Sequence, residues 1–273
     1  MSIKNFIISL STAQERREHV TKEFERQQVE FEFFNAITPS TMDFTCAELR
    51  IGKYQSTLHP NEISCLLSHM MVWKKAVDEH LDYVAIFEDD IYLGESANEF
   101  LGSTAWIPKE HSLVKLEMFY KKIGIAINNK NISAPNHRKL LLLNEPHMGC
   151  AGYLISREVA QELLAFTINS QVLIPVDHIV FREYPKINEL KIYQLSPALC
   201  VQDMILTSGK TRFPSALEDV RNVRKGKNTQ KEKLPLSAKI QKECLRIWFK
   251  VKKIAINFSK LKHGTKMFKI KFR

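Results

Sequence analysis

Along the first two hundred positions, short apolar runs are separated by longer amphipathic stretches. "KNFIISL" (4–10) is a compact apolar run and predicts a buried strand. "TAQERREHVTKEFERQQ" (12–28) is polar with a weak helical stripe, and Ser11 or Thr12 is its candidate cap. "VEFEFFNAI" (29–37) alternates in part at Val29, Phe31 and Phe33, which predicts a second strand. Strand, helix, strand at the start predicts an α/β unit.

"NEISCLLSHMMVWKKAVDEH" (61–80) carries the clearest helix. Its apolar residues at 63, 66, 67, 70, 73, 76 and 77 fall on one face, with Asn61 as the candidate N-cap and Glu62 in the first turn. Further strands are predicted at 83–87, 112–117, 122–127, 139–144, 151–156 and within 191–200. A helix over "REVAQELLAF" follows the strand at 151–156, with Ser156 as its cap. No internal repeat is visible.

The 273 residues, 44% hydrophobic and 26% charged, suit one soluble domain, or one domain with an extension. Charge changes that picture. Residues 1–220 carry 22 Lys+Arg against 28 Asp+Glu, whereas residues 221–273 carry 18 against 2. The net +10 therefore comes from a basic tail on a mildly acidic body, and such a tail suits an anionic surface. Within it Ile247, Val251, Ile254, Phe258 and Leu261 form one helical stripe, with Lys250, Lys252, Lys253, Lys260 and Lys262 mostly off it. That pattern suits a helix lying in a membrane interface. Nucleic acid ranks lower, because no recognisable module accompanies the stretch; a helix packed on the body is the third reading. Five cysteines without a CxxC pair point to a reducing compartment. The start has too short an apolar run for a signal peptide, and no stretch approaches the roughly 18 apolar residues of a spanning helix. The expectation is a cytosolic protein.

Candidate chemistry centres on "YVAIFEDDIYLG" (83–94). Glu88, Asp89 and Asp90 stand at the carboxyl end of a short apolar strand, where open α/β sheets bind ligands. Clustered carboxylates repel unless a cation joins them, and a hard divalent ion bridging to a diphosphate is a common solution. A solvated acidic turn is the plainer alternative. Glu62 and His69 share a helix face with Cys65 between them, as a polar cluster or as a boundary residue and a satisfied histidine. Lys115 and Glu117 face one side of a strand, toward an acceptor or as an ion pair. Asp177, after Pro175 in "IPVDHIVF", is either a fixed base or an N-cap. "MGCAGYLIS" has glycines for close backbone approach but no dinucleotide or phosphate-loop spacing, and no GxSxG occurs.

Taken in order, "ISLSTAQERR", "FFNAITPS", "NEISCLLSHMMVW", "YVAIFEDDIYLG", "LVKLEM", "GCAGYLISRE", "VDHIVF" and "SPALCVQD" resemble glycosyltransferase family 25, the bacterial lipooligosaccharide galactosyltransferases. The likeness runs over roughly residues 3–220, and the family also includes animal collagen hydroxylysine galactosyltransferases. The resemblance implies a GT-A-like α/β fold, expected with a mainly parallel central sheet, over 1–220; the charge and periodicity of 221–273 make it a basic helical extension. It also implies a UDP-sugar donor and inversion at the anomeric carbon. It marks Arg16, Asn35, Glu62, Ser68, His69, Asp89 and Gln202 for the donor, Lys115, Glu117 and His147 for the acceptor, and Glu88 and Asp90 for a divalent metal, Mn²⁺ first and Mg²⁺ second. Asp177 is the expected base. Many members have Gly where Asn61 stands, which alters the helix start. The expected activity is transfer of galactose from UDP-galactose, in a β linkage such as β-1,4, to lipid-anchored lipooligosaccharide at the cytoplasmic membrane face. Glucose or N-acetylglucosamine as donor sugar, and a non-catalytic glycan binder, are the alternatives.

Overall fold

The computed structural model describes residues 3–108, 112–208, 211–213 and 259–273. Its frame is an eight-stranded sheet in the order β2-β1-β3-β9-β5-β10-β8-β7. The strands are β1 (Ile3–Ser9), β2 (Glu32–Asn35), β3 (Tyr83–Glu88), β5 (Leu113–Lys115), β7 (Ile132–Ser133), β8 (Lys139–Leu142), β9 (Gly152–Ser156) and β10 (Ile192–Ser196). Two small sheets complete it: β4 (Ile91–Leu93) with β11 (Cys200–Gln202), and β6 (Lys122–Ala126) with β12 (Thr265–Lys269).

The central strands are buried on both faces. Val84 and Ile86 of β3 enter one apolar cluster, while Ala85 and Phe87 enter another, as the period-two alternation of a strand requires. The first cluster packs under α3 (Pro60–Asp78) and α5 (Arg157–Ile168), with Leu66, Met70, Trp73 and Leu163 fully buried. The second packs under α1 (Gln14–Arg26) and α4 (Ala97–Leu101), through Val20, Phe24 and Phe100. A short α2 (Met42–Glu48) joins the α3 side through Cys46. Later in the chain, α6 (Val176–His178) runs through a π-helical turn, Ile179–Glu183, into α7 (Tyr184–Asn188), and α8 (Asp203–Leu206) follows β11.

Three expectations need correction. The sheet is mixed rather than mainly parallel: β1–β2, β1–β3 and β5–β10 run parallel, while β9 runs antiparallel to both β3 and β5, and β8 to both β10 and β7. Periodicity reports burial and carries no strand direction. The reversal of β9 brings its first residue, Gly152, opposite Phe87, so the chain before it crosses the carboxyl edge of β3. A Cβ on Gly152 would lie 2.2 Å from Cys200 Sγ, so only glycine permits this approach. Second, α3 is capped by His59 rather than Asn61. Its ring accepts from the Asn61 amide while Glu62 accepts from the His59 amide, and Pro60 takes the first turn, where its missing N–H leaves nothing unpaired. Third, neither Ser11 nor Thr12 caps α1; Ala13 stands there without a side-chain bond. Ser156 caps α5 as expected.

Residues 214–258, which hold most of the basic stripe, lie outside the described residues. Leu261, the last position of that stripe, is 48% exposed. Beyond it the chain is built into the body: β12 pairs antiparallel with β6, and Ile270 packs with Ile123 and Val201. Buried Arg138 binds the carbonyls of Pro197 (2.7 Å), Ala198 (3.1 Å), Glu95 (3.0 Å) and Arg273.

Candidate active site

The carboxyl ends of β1, β2 and β3 meet at one edge. Strand register sets Ser9 beside Asn35 and Ile8 beside Glu88, so the acidic triplet emerges next to the ends of the first two strands. Asp89 and Asp90 are only 6% and 8% exposed, which removes the plain solvated turn as their explanation.

Each carboxylate has a different setting. Asp89 accepts from Ser9 Oγ and from Arg16 Nη1, both at 2.7 Å. Arg16 comes from the first turn of α1, and its Nη2 donates to the Phe213 carbonyl at 3.0 Å. Burial pulls the Arg16 guanidinium down, but Asp89 and Asp90 outweigh it and hold it above its ordinary value. Glu88 and Asp90 instead converge on one amide: Gln202 Nε2 donates to Glu88 Oε2 at 2.9 Å and to Asp90 Oδ1 at 3.3 Å. Gln202 reaches them because β11 pairs antiparallel with β4 and sets it opposite Ile91. Burial lifts Asp90 from 3.8 to about 6, against the pull of Arg16. The pair fits a hard divalent cation, since two carboxylate oxygens meet at one point and a desolvated acid gains most from a positive charge there.

A second group lies beneath and beside this edge. Lys115 and Glu117 are fully buried and paired at 3.0 Å. Lys115 Nζ also donates to the Gly149 carbonyl at 2.6 Å and lies 4.3 Å from the Phe181 ring centre. Glu117 Oε2 accepts from the Ala151 amide at 3.1 Å. Burial pushes Glu117 up and Lys115 pulls it back; Asp177 acts on it, and Glu117 in turn acts on Asp90. Asp177 is half-buried in α6, whose N-cap is Pro175, so it is not the helix cap. Its Oδ2 accepts from the Gly149 amide at 3.1 Å and its Oδ1 from the His178 amide at 3.0 Å. Gly149 holds φ +88°, and a Cβ there would meet Glu117 at 2.8 Å, so glycine is required. His147 Nε2 accepts from the Tyr120 amide at 2.8 Å, which leaves Nδ1–H to donate to Gln194 Oε1 at 2.7 Å. Burial, followed by Lys115, holds His147 down to about 3, so it is neutral.

The structure thus brings Arg16, Glu88, Asp89, Asp90 and Gln202 into direct contact. Asn35 joins through Arg17, whose Nη2 donates to its side-chain oxygen. Glu62 serves the cap of α3. Ser68, fully buried, donates to the Ser64 carbonyl and accepts from the Ile37 amide, both at 2.8 Å, and so ties the β2 exit to α3. His69 is buried against Tyr153. Ser9 and Asp203 escaped the sequence reading. Asp203 is fully buried and accepts from Thr211 and the Arg212 amide, which fixes the segment whose carbonyl receives Arg16. Its place beside Gln202 in "CVQD" was the available signal.

The profile of glycosyltransferase family 25, described as LPS biosynthesis protein, matches residues 2–180. A putative glycosyltransferase of Haemophilus influenzae is 36% identical over 254 residues, covering 90% of this chain and 86% of its own. The lipooligosaccharide biosynthesis protein lex-1 of the same organism is 32% identical, over 85% of this chain and 88% of its own. The lacto-N-neotetraose biosynthesis glycosyltransferase LgtE of Neisseria gonorrhoeae is 34% identical, over 74% of this chain and 75% of its own. The profile spans the strands and helices that carry Ser9, Arg16, the acidic triplet, Lys115, Glu117 and Asp177, and on that match the chain belongs to glycosyltransferase family 25.

Proposed function

We propose that this protein is an inverting, GT-A-like glycosyltransferase that moves galactose from UDP-galactose to a sugar of the lipooligosaccharide core, in a β linkage. The convergence of Glu88 and Asp90 on one amide, beside Arg16, carries the reading: it is a place for a diphosphate and the cation that accompanies it. The roles of lex-1 in lipooligosaccharide biosynthesis and of LgtE in lacto-N-neotetraose biosynthesis support an oligosaccharide acceptor of that class.

In this reading Arg16 faces the diphosphate and Asn35, with Arg17, borders the nucleotide. Glu88 and Asp90 hold the cation, Mn²⁺ first and Mg²⁺ as the alternative. When bound, it supplies positive charge that favours the departing UDP. Asp89 and Gln202 shape the phosphate end, while Glu62, Ser68 and His69 act by fixing α3. Asp177 takes the proton of the acceptor hydroxyl, whose oxygen attacks the anomeric carbon from the face opposite UDP. The bond to the diphosphate breaks, configuration inverts, and the proton stays on the carboxylate. The two backbone N–H groups on Asp177 orient it for that task. Lys115, Glu117 and His147 act on the acceptor side through the position of Gly149.

The test is UDP release from a panel of UDP-sugars with truncated lipooligosaccharide as acceptor. UDP-galactose is expected to give the fastest acceptor-dependent release. Asp177→Asn is expected to lower it at least about a hundredfold in a protein that still folds, the loss of one of its two backbone N–H bonds costing about 1 kcal/mol of stability. Near-normal transfer by that variant would remove Asp177 from the role, and acceptor-independent binding without release would remove the enzyme reading.

No helix among the described residues is long and apolar enough to cross a membrane. The basic stretch is the proposed contact with the anionic cytoplasmic leaflet. At roughly 1 kcal/mol per basic residue, replacing Lys252 and Lys253 with Gln is expected to weaken binding to anionic vesicles about thirtyfold. Transfer to a soluble acceptor is expected to stay unchanged. Vesicle binding that does not change would place the contact elsewhere.

A further inference from the structure

Glu88 also belongs to a second, different donor set. Cys65 and His69 stand one turn apart on α3, and α3 packs against β3, which ends in Glu88. Cys65 Sγ, one ring nitrogen of His69 and one Glu88 carboxylate oxygen all lie within 4.8 Å of one another. His69 is fully buried. Its Nδ1 is bonded to Tyr153 Oη at 2.8 Å, and the same oxygen accepts from Trp73 Nε1 at 2.9 Å. Its Nε2 is buried with no hydrogen-bond partner among the described residues. A buried ring nitrogen left unbonded costs free energy, and a native fold rarely keeps one without a use. Tyr153 fixes the ring as an outer partner of a metal-bound histidine does, by holding the nitrogen that does not ligate.

We propose that Cys65, His69 and Glu88 form a binding site for a borderline-soft divalent cation of the zinc class, distinct from the hard-cation pair of Glu88 and Asp90. The donor types decide the class. One thiolate, one imidazole and one carboxylate match the three-ligand sets that hold Zn²⁺ with a fourth position open, whereas Mn²⁺ and Mg²⁺ favour all-oxygen sets. Burial drives His69 down to about 3, so the ring is neutral, the form a metal requires. Cys65 and Glu88 are only half-buried, which gives an ion its route in. Glu88 belongs to both sets. An ion held by Cys65 and His69 draws Glu88 away from Gln202 and Asp90, so the zinc-class ion antagonises the donor site.

The probe is Co²⁺, titrated into the reduced full-length chain. A thiolate-to-cobalt absorption band is expected to appear with saturation at one equivalent and to be displaced by Zn²⁺. Cys65→Ser keeps the size of the side chain at a half-buried position; it is expected to lose the band and weaken Co²⁺ binding at least about tenfold. In parallel, Zn²⁺ is expected to suppress Mn²⁺-supported UDP release in the parent chain, and at least about tenfold more Zn²⁺ is needed in Cys65→Ser. Absence of the band in the parent overturns the site. A band that survives in Cys65→Ser assigns it to another cysteine and overturns it equally. Because the absorption readout involves no sugar nucleotide, its failure leaves the transferase reading standing, and failure of that reading leaves the absorption result intact.

Discussion

Asp90→Asn is expected to lower transfer roughly a thousandfold while making the cation-free protein harder to unfold. The rate loss follows from removing one of two oxygens that meet where charge must be balanced on the leaving diphosphate; deleting one such electrostatic contact elsewhere costs a hundred- to a thousandfold. The stability gain follows from burial. Asp90 is 8% exposed, and burial lifts it from 3.8 to about 6. The folded state therefore holds the proton more tightly than the unfolded chain, and stability falls as pH rises from about 4 to about 6. The asparagine variant has no such loss. Its advantage is expected to be absent below pH about 4 and complete above pH about 6, at about 3 kcal/mol. Urea unfolding at pH 4, 5 and 7.5 without divalent ions measures it. A variant less stable than the parent at neutral pH would make Asp90 a structural counter-ion of Arg16. Transfer within tenfold of the parent would move the cation elsewhere.

The opposite signs of those two effects are informative about the origin of the cluster. Three adjacent carboxylates at the end of a buried strand are not what stability alone selects. Asp89 has a full partner in Arg16, with Ser9 beside it. Glu88 and Asp90 share one neutral amide. A fold that brings a desolvated Asp90 and a half-buried Glu88 onto one amide suits a ligand of positive charge there.

Much of this was legible in the chain. The stripe from Ile63 to Val77 gave α3 and its buried face, and the run Val84–Phe87 gave β3 with the triplet at its carboxyl end. What escaped depends on partners distant in sequence. The antiparallel insertion of β9 leaves no trace in hydrophobic pattern, because a strand buried on both faces reads the same in either direction. Gln202 meets the triplet only through the register of two three-residue strands. The spacing of Lys115 and Glu117 predicted one side of a strand for both; β5 ends at Lys115 with Glu117 two residues beyond it, and spacing does not say whether that side meets water or the protein interior. His59 caps α3 because Pro60 follows it, a local effect that the usual preference for Asn at that place obscured.

Lys115→Met is expected to be the most destabilising single change near the site, by about 3–5 kcal/mol. The ammonium and the Glu117 carboxylate are both without solvent contact, and Glu117 Oε1 has no hydrogen-bond partner among the described residues. Removing the cation leaves a buried carboxylate with one backbone N–H, and leaves the Gly149 carbonyl without its donor. The double variant Lys115→Met, Glu117→Gln takes away the stranded charge and keeps an acceptor for the Ala151 amide, so it is expected to recover most of the lost stability. It is not expected to recover the rate. Gly149 would still lack the ammonium that holds its carbonyl, and its N–H is one of the two that orient Asp177. A fall in kcat of about tenfold or more, with acceptor KM little changed, is therefore expected in a folded double variant. Denaturant unfolding and steady-state kinetics on the same preparations separate the two roles. If Lys115→Met instead unfolds like the parent and raises acceptor KM alone, the ammonium meets the acceptor directly and the buried pair is not what holds Asp177 in place.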